Sequence, residues 1–176
     1  MIGMKNWVRT NSIQLHYLDH PGEMPPLVLM PGLTANAHSF DGLISAGLSP
    51  ALRVLCLDWW GPTIESYYHA DVEIRNDGTV KPRSRPEAII EAVDSALCED
   101  WPRHLAAINQ PMLLLNAPDA FGPPGAPPVL PREHALATVS AVPDGRDVKI
   151  PGNHMTMLFG EGAERIVDAI TNFVHA

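Results

Sequence analysis

Two side chains of this sequence could together move a proton, and each follows a strand-like run. Asp147 to Ile150 is extended, and Pro151–Gly152–Asn153 ends that run before His154. Imidazole titrates near neutrality, so a histidine at such a rim can take a proton from a nucleophile and return it to a leaving group. Asp119 follows the apolar run Met112–Leu115, where a carboxylate could orient that histidine. The alternatives are that His154 ends a turn and that Asp119 is a solvated turn residue.

A third candidate is the backbone after another apolar run, Leu27–Met30. This run ends in Pro31–Gly32–Leu33–Thr34, where the glycine lets the chain turn sharply and frees amide groups to face a ligand oxygen. Gly32 and Leu33 could therefore stabilise a developing negative charge. A Pro–Gly pair after a strand is also typical of an ordinary turn.

Composition restricts the class of partner. The chain has 176 residues and a formal net charge of -8, which fits one domain with a real core and argues against nucleic acid or an anionic membrane. No apolar run is long enough for a membrane span, so a cytoplasmic protein is expected. Cys56 and Cys98 lie in apolar surroundings, which predicts reduced, buried thiols. His69, Asp71 and Glu73 could face a metal from one strand, but such residues near a loop are usually solvated, so we expect neither metal nor cofactor.

The elements that must position these groups alternate between strands and helices. That order is typical of an α/β domain with a mainly parallel sheet and flanking helices. The predicted elements are a hairpin from Trp7–Thr10 and Ile13–Leu18, strands at Leu27–Met30, Val54–Leu57, Met112–Leu115 and Asp147–Ile150, and helices over 36–48, from Pro86, from Trp101, from Pro131 and over 161–174. The strands Leu27–Met30 and Met112–Leu115 are expected to be buried on both faces, and the helices after Pro86 and Asp100 to cover the sheet.

An aromatic-rich segment follows Asp58 and does not look like a sheet connection. Trp59, Trp60 and Tyr67 are expected in a lid that faces a substrate, with Met155 beside His154 in the same apolar pocket. Segment 59–108 would then be lid-like and covering sequence within a single domain of residues 1–176. The alternative is that the aromatic rings fill the core.

The order of these motifs resembles the α/β-hydrolase superfamily, in its lid-containing, epoxide-hydrolase or esterase-like branch. The resemblance is carried by Leu27–Leu33, by Val54–Asp58, by Met112–Leu115 with Asp119, and by Val148–His154 with the C-terminal helix. It implies that Asp119 is the acid and His154 the base of a catalytic triad, and that Gly32 and Leu33 form part of an oxyanion hole.

The sequence departs from this family at the nucleophile. In the family, a strand that bears G-x-S-x-G follows the strand corresponding to Val54–Asp58, whereas this sequence has no G-x-S-x-G. Ser39 and Ser45 fall in a helical segment, and Ser66 falls among the lid aromatics. About a hundred residues of a full-length relative, two strands with their helices, would be missing after Asp58.

This loss has two possible structural consequences and two functional ones. Strands Leu27–Met30 and Met112–Leu115 would either pair directly or leave open edges, through which two copies could form a homodimer. The protein is expected to be either a hydrolase of small apolar ester-like molecules, or a catalytically incomplete member of the family that binds a ligand or partner.

Overall fold

The strands of this computed structural model lie in three sheets. The structure describes residues 3–10, 13–32, 35–58, 72–82 and 86–176. A four-stranded sheet has the order β1-β2-β4-β3, and two-stranded sheets are formed by β5 with β6 and by β7 with β8. The strands are β1 (Met4–Thr10), β2 (Ile13–His20), β3 (Leu27–Leu29), β4 (Val54–Asp58), β5 (Val72–Ile74), β6 (Val80–Pro82), β7 (Met112–Asn116) and β8 (Gly145–Lys149).

The first sheet starts with the predicted hairpin, in which β1 runs antiparallel to β2. Strand β2 also pairs antiparallel with β4, and β4 pairs parallel with β3. A bidentate ion pair stabilises the start of β4: Arg53 donates to both carboxylate oxygens of Asp19, at 3.1 and 2.7 Å. Arg53 lowers the pKa of the Asp19 carboxyl.

The helical segment 37–51 between β3 and β4 is broken into short turns. It consists of a 3₁₀ turn (Ala37–Phe40), helix α1 (Asp41–Leu43), a π turn (Ile44–Leu48) and helix α2 (Ser49–Ala51). Asn36 begins it by accepting the amide of His38 at 2.8 Å. Gly47 interrupts it with φ +103, a conformation that glycine adopts at little cost. The sequence predicts a helix over 36–48, whereas the structure has a series of short helical turns that Gly47 interrupts.

The sheet formed by β7 and β8 is parallel, and its strands belong to a β-α-β unit. Strands β7 and β8 pair from Met112 opposite Gly145 to Asn116 opposite Lys149, and Ile150 extends the ladder by donating to the Asn116 carbonyl at 2.8 Å. Helix α5 (Arg132–Ser140) connects them and buries Ala135, whereas Leu136 is exposed.

A hydrophobic core joins the four-stranded sheet to the sheet formed by β7 and β8. The C-terminal helix α6 (Gly160–Val174), predicted over 161–174, packs on the segment 37–51 and on β7. The buried side chains of this core come from both halves of the chain: Leu18, Ala37, Leu43, Ile44, Leu48, Leu52, Val54, Cys56, Ile150, Ala163, Ile166 and Val167.

In the described part of the chain, β3 is an edge strand of the four-stranded sheet and β7 is an edge strand of the sheet that it forms with β8. Within the described ranges β3 pairs only with β4, and β7 only with β8, so the predicted direct pairing of the two apolar strands is wrong and the open-edge alternative is what the structure has. The expectation that Leu27–Met30 is buried on both faces is also wrong, because Val28 and Met30 are 50% and 63% exposed. The side chains of a strand are buried on both faces only where helices pack on both faces of its sheet. A homodimer through these edges stays a prediction.

Segment 72–108 contains a hairpin and the two predicted helices, of which the first lacks the predicted packing. Strands β5 and β6 form a separate hairpin, followed by α3 (Pro86–Cys98) and α4 (Trp101–Ala106). Asp100 caps α4 as expected, by accepting the Arg103 amide at 3.2 Å. However, the apolar stripe of α3 is exposed, so the expectation that this helix covers the sheet is wrong. An amphipathic pattern shows which face is apolar, but not what that face contacts. No helix of the described residues has the length and apolarity to cross a membrane.

Candidate active site

Asp119 lies on the loop that leaves the carboxyl end of β7. The last residue of that strand, Asn116, is 1% exposed, and its side-chain amide donates to the Leu130 carbonyl at 3.0 Å. This bond fixes the start of the loop after β7 against Leu130, near the end of the connection between β7 and the next helix. Asp119, three residues on, is exposed, so its carboxylate is available to a neighbouring group.

His154 lies on the turn that leaves β8, and Asn153 caps that turn. The Asn153 side-chain oxygen accepts the amides of Met155 and Thr156, each at 3.0 Å, and the Thr156 hydroxyl at 3.1 Å. Gly152 precedes it with φ +96, and a Cβ there would lie 2.6 Å from the Thr156 hydroxyl oxygen. A tight turn of this kind projects His154 outward, and the residue is exposed.

The structure brings two segments together. One is the loop after β7, residues 117–121, which we call the acid loop, and the other is the turn after β8, residues 151–158, which we call the histidine turn. The Asp119 amide donates to the Gly152 carbonyl at 3.2 Å, and the Asn153 side-chain amide donates to the Ala120 carbonyl at 3.3 Å. The rings of Phe121 and His154 meet edge to face, with centroids 5.8 Å apart. Among the described residues no hydrogen bond or ion pair joins the Asp119 carboxylate to the His154 ring. Catalytic hydrogen bonds are often long before a substrate binds, so this arrangement is compatible with an acid–base pair.

The remaining predicted site residues are only partly described. Gly32 is exposed after the buried Pro31, and its carbonyl accepts the Ala35 amide at 3.1 Å, which closes a turn. Met155 is exposed beside His154, where it could contact an apolar ligand. Leu33, Trp59, Trp60 and Tyr67 lie outside the described residues, as do His69 and Asp71.

A second histidine–carboxylate pair was missed by the sequence analysis. His38 Nδ1 lies 3.1 Å from Asp41 Oδ2, at the start of the segment 37–51. The i,i+3 spacing of the two residues in a predicted helix is a signal for such a contact. The other ring nitrogen of His38 is buried and has no hydrogen-bond partner in the described part of the chain. This imidazole therefore cannot reach a substrate as His154 can.

Ser39, Ser49 and Cys56 do not suit a nucleophile for His154, because the two serine hydroxyls are hydrogen-bonded elsewhere and the thiol is buried. The Ser39 hydroxyl accepts the Asn36 amide at 3.3 Å, and the Ser49 hydroxyl donates to the Pro21 carbonyl at 2.6 Å. Cys56 is fully buried, and burial raises the pKa of its thiol to about 12. Cys98, expected to be buried, is instead exposed on α3, because that helix is uncovered. Ser66 lies outside the described residues.

The two cysteines are expected to differ sharply in reactivity. In the native protein at pH 8, a thiol reagent such as Ellman's reagent should modify Cys98 and leave Cys56 untouched, since only the thiolate reacts and only Cys98 is accessible. Release of thionitrobenzoate should correspond to one thiol per chain, and to two in denaturant. Rapid modification of Cys56 without denaturant would contradict the buried position of β4.

Two further residues at the site were not singled out from the sequence. Asn153 could have been recognised, since Asn followed by Thr three positions later is a capping pattern at the start of a helical turn. Phe121 gives no comparable signal, because only the folded loops bring its ring to His154.

Comparison with solved structures identifies the architecture. The sequence matches no protein-family model and no curated protein. The fold is similar to E-2-(acetamidomethylene)succinate hydrolase, with TM-score 0.67 over 99% of this chain and 100% of the other. It is also similar to a serine hydrolase involved in carbazole degradation, with TM-score 0.63 over 98% and 99%, and to a thermophilic esterase from Thermogutta terrifontis, with TM-score 0.59 over 98% of each chain. All three are 14% identical to this chain. The protein therefore has the α/β-hydrolase fold, in a form shortened to 176 residues.

Proposed function

We propose that the protein is a hydrolase of small apolar ester-like substrates in which His154 is the general base and Asp119 orients it. The observation that carries the proposal is the pair of hydrogen bonds that hold the Asp119 loop against the His154 turn, at the carboxyl ends of adjacent parallel strands. Ligands of open α/β sheets bind at this end of the strands. Two solved structures of similar fold are described as hydrolases and a third as an esterase, which supports the same class of reaction.

In this proposal His154 removes a proton from the attacking hydroxyl as that oxygen bonds to the ester carbonyl carbon. The proton then passes from His154 to the departing alkoxide, so that the imidazole is regenerated. The Asp119 carboxylate stabilises the imidazolium between these steps, and the backbone at Gly32 and Leu33 donates to the carbonyl oxygen as it becomes negative. Met155 supplies an apolar contact for the substrate. Because the sequence has no G-x-S-x-G, the attacking hydroxyl belongs to water or to a serine outside that motif. If it is a serine, the acyl group remains on its oxygen until a water molecule, deprotonated by His154, hydrolyses that ester and releases the acid.

A second candidate function is binding without turnover. The absence of G-x-S-x-G from the sequence favours it, since covalent catalysis needs a nucleophile within about 3 Å of its base. In this reading the Asp119–His154 rim is part of a cleft that holds a small apolar ligand or a partner, and the proton-transfer groups are not used.

Replacing His154 separates the two functions. If the protein is a hydrolase, His154→Ala should lower kcat/KM for a short-chain p-nitrophenyl ester by about 10²- to 10⁴-fold, the usual contribution of a general base. His134→Ala is the matched control, because His134 is also exposed but lies on α5. No turnover above buffer would support the binding function instead, whereas equal turnover in the wild type and in His154→Ala would show that His154 is not the general base.

A serine-directed fluorophosphonate probe with mass mapping then identifies the attacking hydroxyl. Labelling of one serine that is lost in His154→Ala would identify a covalent nucleophile. Turnover that depends on His154 without any labelling would assign the attack to water.

A further inference from the structure

The structure assigns to Asn153 a role in positioning: its side chain holds the acid loop and the histidine turn in a fixed relation. We call the two bonds between these loops, from the Asp119 amide to the Gly152 carbonyl and from the Asn153 side chain to the Ala120 carbonyl, the loop clasp. The inference rests on the proposed function, in which Asp119 must face His154.

Asn153 can do this because its two side-chain atoms work in different directions. The oxygen accepts three hydrogen bonds from Met155 and Thr156, all inside the histidine turn. The nitrogen donates across to Ala120, on the acid loop. Since the amide group is planar and rigid, fixing its oxygen in one turn also fixes where its nitrogen points.

The acid loop has few other attachments near Asp119. Asp119 and Ala120 are exposed, and so is Phe121, so burial contributes little to holding them. The loop clasp holds the amide of Asp119 and the carbonyl of Ala120. It therefore constrains the backbone on both sides of the Asp119 side chain. Without the Asn153 bond, Asp119 would be held near His154 by its own amide and by the Phe121 ring.

The most informative variant is Asn153→Ser. A serine can still cap the turn with its hydroxyl oxygen, but it is too short to reach the Ala120 carbonyl, and it introduces no charge. Thr156→Val is the matched control, because it removes the two hydrogen bonds between Asn153 and the Thr156 hydroxyl. The Asn153 oxygen still accepts the amides of Met155 and Thr156, so the bond from its side-chain nitrogen to Ala120 stays in place.

The first readout is amide hydrogen exchange of Asp119, whose amide is one of the two bonds of the clasp. Exchange should become about fivefold to tenfold faster in Asn153→Ser, the effect of losing one typical hydrogen bond. In Thr156→Val the rate should change by less than about twofold. An unchanged rate in Asn153→Ser would overturn the positioning role.

The second readout is the ring-current shift that Phe121 imposes on the ring protons of His154, which depends on their 5.8 Å edge-to-face geometry. In the otherwise wild-type protein, Phe121→Leu should change the chemical shifts of the His154 ring protons. When the same substitution is made in Asn153→Ser, this change should be at most half as large. It should keep its full size in the Thr156→Val background. An equal change in all three backgrounds would overturn the inference, because a cap with only a structural role would leave this geometry intact.

Ester turnover distinguishes failure of this inference from failure of the proposed function. If both spectroscopic effects occur in a protein without turnover, the loop clasp stands and the hydrolase proposal falls. If turnover depends on His154 and neither effect occurs, the hydrolase proposal stands and Asn153 has no positioning role.

Discussion

Replacement of Gly42 with alanine is expected to destabilise the protein strongly. A Cβ at this position would lie 2.0 Å from the Leu158 carbonyl oxygen, a backbone atom that cannot rotate away. The helical segment 37–51 and the end of the histidine turn would have to separate. Overpacking a tight contact usually costs about 1 to 3 kcal/mol, and this backbone clash should lie at or above the upper value. Urea denaturation followed by circular dichroism measures the loss.

Gly32→Ala is the control for this substitution. Apart from its two chain neighbours, no heavy atom of the described residues lies within 4 Å of a Cβ at Gly32. The free energy of unfolding should therefore stay within about 0.5 kcal/mol of the wild type. Similar unfolding midpoints for Gly42→Ala and Gly32→Ala would show that the segment 37–51 does not pack on the histidine turn as described.

Truncation of Ile150 should have the second large effect. Ile150 is fully buried at the end of β8, and it lies in the core cluster that joins the two sheets. Ile150→Ala removes buried methyl groups and leaves a cavity, which typically costs about 2 to 5 kcal/mol. The loss should appear as a lower urea midpoint with an unchanged slope.

Leu97→Ala removes a comparable side chain where it is 77% exposed, and it should change the unfolding free energy by no more than about 0.5 kcal/mol. If Leu97→Ala proved as damaging as Ile150→Ala, α3 would be covered in solution by another segment or molecule. If Ile150→Ala proved harmless, the shared core of the two sheets would be wrong.

Local sequence patterns were sufficient to predict most elements. Apolar alternation predicts β1 and β2, and apolar runs of four residues predict β3, β4 and β7. Pro86 and Asp100 indicate the starts of α3 and α4, because proline and a capping aspartate satisfy or remove the free amides of a first turn. Each of these signals acts over a few residues, so it can be read without knowing the fold.

Burial could not be predicted in the same way. Val28 and the stripe of α3 have patterns typical of buried residues and are exposed, and Cys98 is exposed for the same reason. A pattern specifies which face of an element is apolar, but whether that face is covered depends on elements distant in sequence. At β3 and β7 the inner edges have no partner strand within the described ranges.

By itself, the sequence determined that Asp119 and His154 each follow a strand, and hence that both belong at one edge of a sheet. Only the tertiary structure decided that Asn153 and Phe121 link them, since those contacts join residues about 33 positions apart. The tertiary structure also decided that two small sheets share one core without pairing. The physical reason is that strand ends and turns follow from local chemistry, whereas partners across a loop or a sheet edge are set by how the whole chain packs.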